Sequence, residues 1–329
     1  RPQMRRDSFL PLLDGWTLNG NPIKLPFCPE SLLSGIHAHY GEDTFLFYQK
    51  KIALPDGFLQ GRLLLHFGAV DQQVEVFVNG RIVGKHIGGY NAFSLDITDD
   101  HTREMTLTLR IKDDLRDKTL PYGKQTLKRG GMWYTPVSGV WQSVWLESVP
   151  EKHIEDIKID VTLEEATVTL TPALNGTALF EGKEIPIVNG KVTLRPENPE
   201  HWSPENPKLY EFALRCGEDT VSSYFALRTL ETKEINGIPR LCLNGKPYFF
   251  HGVLDQGYWP DGIYTPASEK AFAEDILEMK KAHPCGEKRW KVLRTGADFR
   301  LKCLGCGHEV MTPRHKAEKN IRTVEREEA

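Results

Sequence analysis

The stretch VEVFVNGRIVGKH sets the terms for the first 250 residues. Val74, Val76 and Val78 recur at the period of two that a half-buried strand requires, and Asn79-Gly80 follows at once. That dipeptide tolerates positive φ at both central positions of a tight hairpin. MTLTLRIK repeats the alternation through Leu107, Leu109 and Ile111, and SVWLESV through Val144 and Leu146. The pattern predicts antiparallel sheet with one face in a core and excludes an alternating α/β arrangement over this region.

A break at Pro150-Glu151-Lys152 precedes a second set of strands. These are IEDIKIDVTL, TVTLTP, IVNGKVTLRP with a turn at Asn189-Gly190, KLYEFALRC and SSYFALRTLE. Six or seven short strands over about 80 residues suit an immunoglobulin-like β-sandwich. A short hairpin, RLCLNGKPYFFHGV, comes next. The spacing of Phe272, Ile276 and Met279 then predicts a helix opened by Thr265-Pro266 and running to about Lys281.

The last 50 residues differ in kind. From Lys281 onward 12 Lys and Arg stand against 7 Asp and Glu, whereas 30 stand against 38 before it. Cysteines divide the same way. Cys28, Cys216 and Cys242 are scattered in strand-like surroundings and read as reduced, buried thiols, while Cys285, Cys303 and Cys306 cluster. Cys303 and Cys306 form a C-x-x-C pair, with Gly305 and Gly307 letting the backbone wrap so that two thiolates can approach one metal. Cys285 offers a third ligand, and His308 or His283 a fourth. Zinc is the expected occupant; a redox dithiol and a metal-free knuckle are the alternatives. The basic excess, with Arg289, Lys291, Arg294, Arg300, Lys302 and Arg314 around Trp290 and Phe299, suits nucleic acid or a plain solvated surface. No run of about 18 apolar residues occurs and none precedes Asp14, so the expectation is a cytoplasmic chain with neither leader nor membrane span.

Three separated motifs carry a family likeness. RLLLHFGAVDQQVEVFVNGRIVGKHIGGYNAFSLDIT, GGMWYTPVSGVWQSVWLE and YFALRTLETKEINGIPRLCLNGKPYFFHGV closely resemble the N-terminal portion of family 2 glycoside hydrolases, the β-galactosidase and β-glucuronidase type, over residues 8 to 281. The resemblance implies a mainly β chain. A jelly-roll sugar-binding domain would occupy residues 1–150 and an immunoglobulin-like sandwich 151–232. The incomplete start of a (β/α)8 barrel would follow at 233–281, and a small Cys-rich zinc-type module at 282–329. Such a barrel needs about 250 residues, and 84 follow Gly245. The expectation is therefore no closed barrel, neither catalytic glutamate motif, weak or vestigial carbohydrate binding and no turnover.

The likeness also nominates sugar contacts. Asp71 matches a position where β-galactosidases place an Asn that reaches the sugar, the alternative being a turn residue at a strand end. Gly131 stands where those enzymes carry an Asp, so that contact is missing. HGVLDQGYWPDG replaces the family's G-V-N-R-H-E, putting Asp255 and Gln256 at active-site polar positions with Trp259 close behind. Trp133, Tyr134 and Trp141 would stack on sugar faces or pack a core. The tail resembles, almost residue for residue, the small bacterial domain of unknown function 951, with its H-P-C-G, W-x-V-L-R-x-G-A-D and C-L-G-C-G elements. DILEMKK fits both families, asked to be helix by the body and strand by the tail.

Overall fold

The computed structural model describes residues 3–128, 130–250, 258–259, 261–268, 276–279, 287–294, 298–313 and 321–325. Among these residues the chain is all β, with no helix, and so none long and apolar enough to cross a membrane. It divides into two compact units, Arg1–Phe9 with Pro55–Leu63 and Glu147–Gly252, and Leu10–Leu54 with Leu64–Leu146 and Val253–Ala329.

The first unit holds two sheets around one core. Asp156–Val161, Ala166–Thr171 and Lys191–Leu194 form a three-stranded sheet. Lys183–Ile187, Gly176–Phe180, Tyr210–Cys216 and Asp219–Phe225 form a four-stranded one. Alternation decides which side chains meet: Val168, Leu170 and Leu194 from one sheet share a buried cluster with Phe180, Phe212, Leu214, Val221 and Phe225 from the other. Each such side chain contributes about 1.5–3 kcal/mol by leaving water. The chain start is tied to this sheet. Arg5 and Ser222 exchange both backbone hydrogen bonds, at 3.0 and 2.9 Å. Thr229–Leu243 continues into a small antiparallel sheet of Leu230–Ile235, Ile238–Leu243 and Lys246–Pro247.

In the second unit a six-stranded sheet runs in spatial order Asn21–Ile23, Trp16–Leu18, Leu46–Ala53, Glu104–Lys112, Gln73–Val78, Arg81–Ile87. The register sets Leu109 opposite both Tyr48 and Val76, and Ile111 opposite Leu46 and Val74; all six side chains are buried. A second sheet of this unit pairs Leu64 to Phe67 antiparallel with Phe93–Asp96. Phe93 of that sheet stacks on His86 of the six-stranded one with ring centroids 4.1 Å apart. The expected hairpin chemistry is present: Asn79-Gly80, Asn189-Gly190 and Asn244-Gly245 each place both residues at positive φ.

Gly139 shows how tightly this unit closes. It sits at φ +73, paired with Asp71, and a Cβ there would fall 2.3 Å from Tyr48 Oη. Because Tyr48 has no exposed surface, it has little room to withdraw. Gly139→Ala is expected to cost about 2 kcal/mol, read as a lowered urea midpoint; an unchanged midpoint would mean the strand yields freely.

The helix expected after Thr265 is not formed where the structure describes it. Thr265 lies in a turn, its N–H donating to Gly262 O at 3.2 Å and its hydroxyl to Trp141 O at 2.8 Å. Ile276–Met279 is a strand. It pairs antiparallel with Arg289–Arg294 on one side and Ile321–Glu325 on the other, inside a five-stranded sheet completed by Asp298–Cys303 and Glu309–Pro313. The physical reason is that a short amphipathic segment gains little from helix formation alone. Two flanking strands instead satisfy its backbone along both edges. Residues 269–275 and 280–281 of that expected helix lie outside the described residues.

Candidate functional site

The nominated sugar residues start from Asp71. It ends the strand Val70–Asp71, whose partner Gly139–Val140 approaches closely because of the glycine. Its side chain is buried, 2% exposed. A Cβ on Gly89 would fall 2.2 Å from Asp71 Oδ1, so only glycine lets this backbone lie against the carboxyl group. Burial, followed by the charges of Asp113 and Glu30, pushes Asp71 up to about 8, and a hydrogen bond with Gln125 opposes the rise. Asp113, half-buried, is pushed up to about 7 by burial and then by Glu30. His39 is raised by its hydrogen bond to Glu30. Glu30, buried, also accepts from Ser138 Oγ at 2.6 Å and Ser138 N–H at 3.2 Å.

Gln125 joins this carboxylate group to a set of phenols. Buried at 1% exposure, it accepts from Val137 N–H at 2.7 Å and donates to Tyr90 Oη and Tyr264 Oη at 3.0 and 2.9 Å. Those two phenols lie 3.0 Å apart, and burial raises both. Trp141 packs edge-on to Tyr90 and Tyr264 and donates its indole N–H to Gly89 O at 2.8 Å. Gln72 beside Asp71 is fully buried, and its amide N and O have no hydrogen-bond partner among the described residues. The arrangement holds protons in place. It sets a carboxyl group raised by burial beside a line of hydroxyl and amide groups.

The aromatic nominees separate. Tyr134 N–H donates to Lys124 O at 2.7 Å and Thr126 N–H to Tyr134 O at 3.2 Å, closing a loop that displays Trp133. Trp133 is 41% exposed, whereas Tyr134 is buried and stacked on Tyr258 at 4.1 Å between ring centroids. Trp141 is packed as described, so two of the three rings serve the interior. Trp259 is half-buried and pairs through its backbone with Ile263, at 2.6 and 3.2 Å. Asp255 and Gln256 lie outside the described residues. Glu30, Asp113, Gln125, Tyr90 and Tyr264 were not nominated from sequence. Tyr90 lies within the first family motif without being singled out there, and Gln125 and Tyr264 meet across 139 positions of chain.

In the tail, Cys303 ends its strand buried and Cys306 is exposed in the following turn. Cys303 N–H donates to His308 O and Gly307 N–H to Cys303 O, both at 2.9 Å, with Gly307 at φ +74. This closed turn fits the two-thiol half of a metal knuckle. Cys285 and His283 lie outside the described residues. Among the described residues no three His, Cys, Asp or Glu side chains are grouped to hold a metal ion. Trp290 and Phe299, expected among the basic residues, are buried in the tail's core with Val292, Leu301 and Cys303.

Comparison with known proteins assigns both parts. Residues 39–150 match the sugar-binding domain of glycosyl hydrolases family 2, residues 150–228 match a second domain of the same family, and residues 273–324 match the bacterial proteins of unknown function DUF951. A β-galactosidase of Thermoanaerobacter pseudethanolicus is 25% identical over 248 residues, 66% of this chain and 33% of the relative. The uncharacterized protein YyzM of Bacillus subtilis is 54% identical over 50 residues, 15% of this chain and 74% of the relative. A solved β-D-glucuronidase of Dictyoglomus thermophilum shares the fold with a TM-score of 0.62 at 19% identity, covering 80% of this chain and 50% of that one. The chain spans about a third of the length of the curated glycosidases it matches. Residues 39–228 thus belong to glycosyl hydrolases family 2, as part of its N-terminal region, and residues 273–324 to the family DUF951.

Proposed function

We propose that this chain is a non-catalytic, carbohydrate-directed N-terminal portion of a family 2 glycoside hydrolase. In this reading residues 1–150 are a jelly-roll sugar-binding domain, 151–232 an immunoglobulin-like sandwich, 233–281 a remnant of the barrel start and 282–329 the Cys-rich module. One observation carries it. Ile276–Met279, where the family's first barrel helix is expected, is a strand inside an antiparallel five-stranded sheet. Retaining hydrolysis needs two carboxyl groups about 5–5.5 Å apart across the scissile bond, and such a pair sits on later strands of a parallel barrel, for which these residues supply no wall.

Trp133 is the exposed ring best placed to lie on a sugar face. Asp71, buried against Gly89, and Trp259, Asp255 and Gln256 are the other candidate sugar contacts in this reading. Cys303 and Cys306, with Cys285 and either His308 or His283, would hold zinc; a bound ion would supply cross-linking of the small sheet. The reduced thiols Cys28, Cys216 and Cys242 support a cytoplasmic setting. Purified chain is expected to give no turnover of chromogenic β-glucuronides or β-galactosides. Hydrolysis that persists through removal of host glycosidases would defeat the proposal.

A further inference from the structure

Two neighbouring strands of the tail set basic residues opposite one another in register. Arg289–Arg294 and Asp298–Cys303 pair antiparallel with Lys291 directly opposite Lys302, and Arg294 opposite Arg300 after a bulge. On its other side Lys302 stands opposite Glu309. Trp290, Val292, Phe299, Leu301 and Cys303 occupy the buried face, so alternation puts Arg289, Lys291, Arg300 and Lys302 on the other. Arg300, Lys302 and Arg289 are exposed and Lys291 half-buried. Arg289 bonds Glu287 at 3.2 Å and Arg300 bonds Glu309 at 2.6 Å, with about half of each arginine in solvent. Exposed pairs of this kind are worth about 0–1 kcal/mol, little enough to exchange for another anion.

We infer that this face binds the phosphodiester backbone of a nucleic acid. Neighbouring cations on one strand stand about 6.8 Å apart, on a flat face that a run of phosphates can follow. The tail's aromatic rings are in its core, leaving none of Trp290 or Phe299 for base stacking. Recognition therefore goes through phosphates, tolerates sequence and weakens steeply with salt. This site is separate from the carbohydrate reading above and does not rest on it.

The test titrates full-length chain into labelled single-stranded RNA and, separately, a short DNA duplex, following anisotropy from about 50 to about 200 mM salt. Binding to the duplex is expected to fall with a log-log slope of roughly −2 to −4, near −0.9 per phosphate contacted. Lys291→Gln with Lys302→Gln should flatten that slope by about 2 and weaken low-salt binding roughly tenfold. The same pair of changes at surface positions should leave the melting temperature within about 2 °C of the parent, so that lost binding is not lost folding, while Lys158→Gln on the other unit changes neither. Tighter binding of one probe identifies the preferred strand form. Absence of binding to both probes, an unaltered slope in the double variant, or equal binding of polyglutamate would overturn the assignment.

Discussion

Replacing Arg6 by Ala is expected to destabilise the unit that contains it by about 3–5 kcal/mol, a loss of roughly 10 °C or more in Tm by calorimetry. The guanidinium grips Asp219 in a fork, Nε to Oδ1 at 2.8 Å and Nη2 to Oδ2 at 2.9 Å, and adds bonds to Glu147 at 3.2 Å and to Ile154 O at 2.5 Å. Asp219 is 1% exposed and also accepts from Ile154 N–H at 2.7 Å. Forming such a buried pair gains little net energy because both ions give up water. Removing one partner leaves the other charged and unsolvated, and that asymmetry makes the effect large. Arg6→Lys keeps the charge and loses the fork, so its cost should be intermediate. A melting temperature for Arg6→Ala within about 2 °C of the parent would show that water or rearrangement replaces the arginine at no cost.

The second large effect is a pH dependence centred on Asp71. Its folded-state value is about 8 against an ordinary 3.8, so the folded chain keeps a proton that the unfolded chain releases. Stability therefore falls as pH rises through the window from about 4 to about 8, by up to about 1.4 kcal/mol per pH unit for one proton. Above that window both states are ionised and the loss is complete. Asp113, pushed to about 7, adds a loss of the same sign, reduced by its partial exposure. Asp71→Asn keeps a donor in place and removes the titration. It should be nearly equal to the parent near pH 4 and more stable at pH 8 by on the order of several kcal/mol, measured by urea unfolding with tryptophan fluorescence. Parallel pH curves for parent and variant would sink this assignment.

Much of the architecture could be read from local pattern. Val74, Val76 and Val78 announce their strand and its buried face, and Asn79-Gly80 announces the turn, because both signals lie within a few residues and need no partner to be recognised. Cys303 and Cys306 are legible for the same reason: the pair and the glycine after it share one turn. The polar group around Asp71 is different. Glu30, Gln125, Tyr90 and Tyr264 come from four separate stretches of chain, and nothing near any of them announces that they will meet. Asp71 itself was nominated by likeness to a family, yet its burial against Gly89 depends on the path of another loop.

DILEMKK marks the limit most clearly. Its apolar spacing serves a helix or a strand, and periodicity in so short a segment does not separate them. By itself the sequence determined a mainly β body, its hairpin turns and the two families it joins, since each is written in spacing or in contiguous motif. Tertiary structure alone decided that Ile276–Met279 extends a sheet, that Trp290 and Phe299 face inward, and that Asp71 is buried, which raises its carboxyl group. In each case the deciding energy comes from partners distant along the chain: strands that satisfy backbone hydrogen bonds, and neighbours that remove water from a side chain.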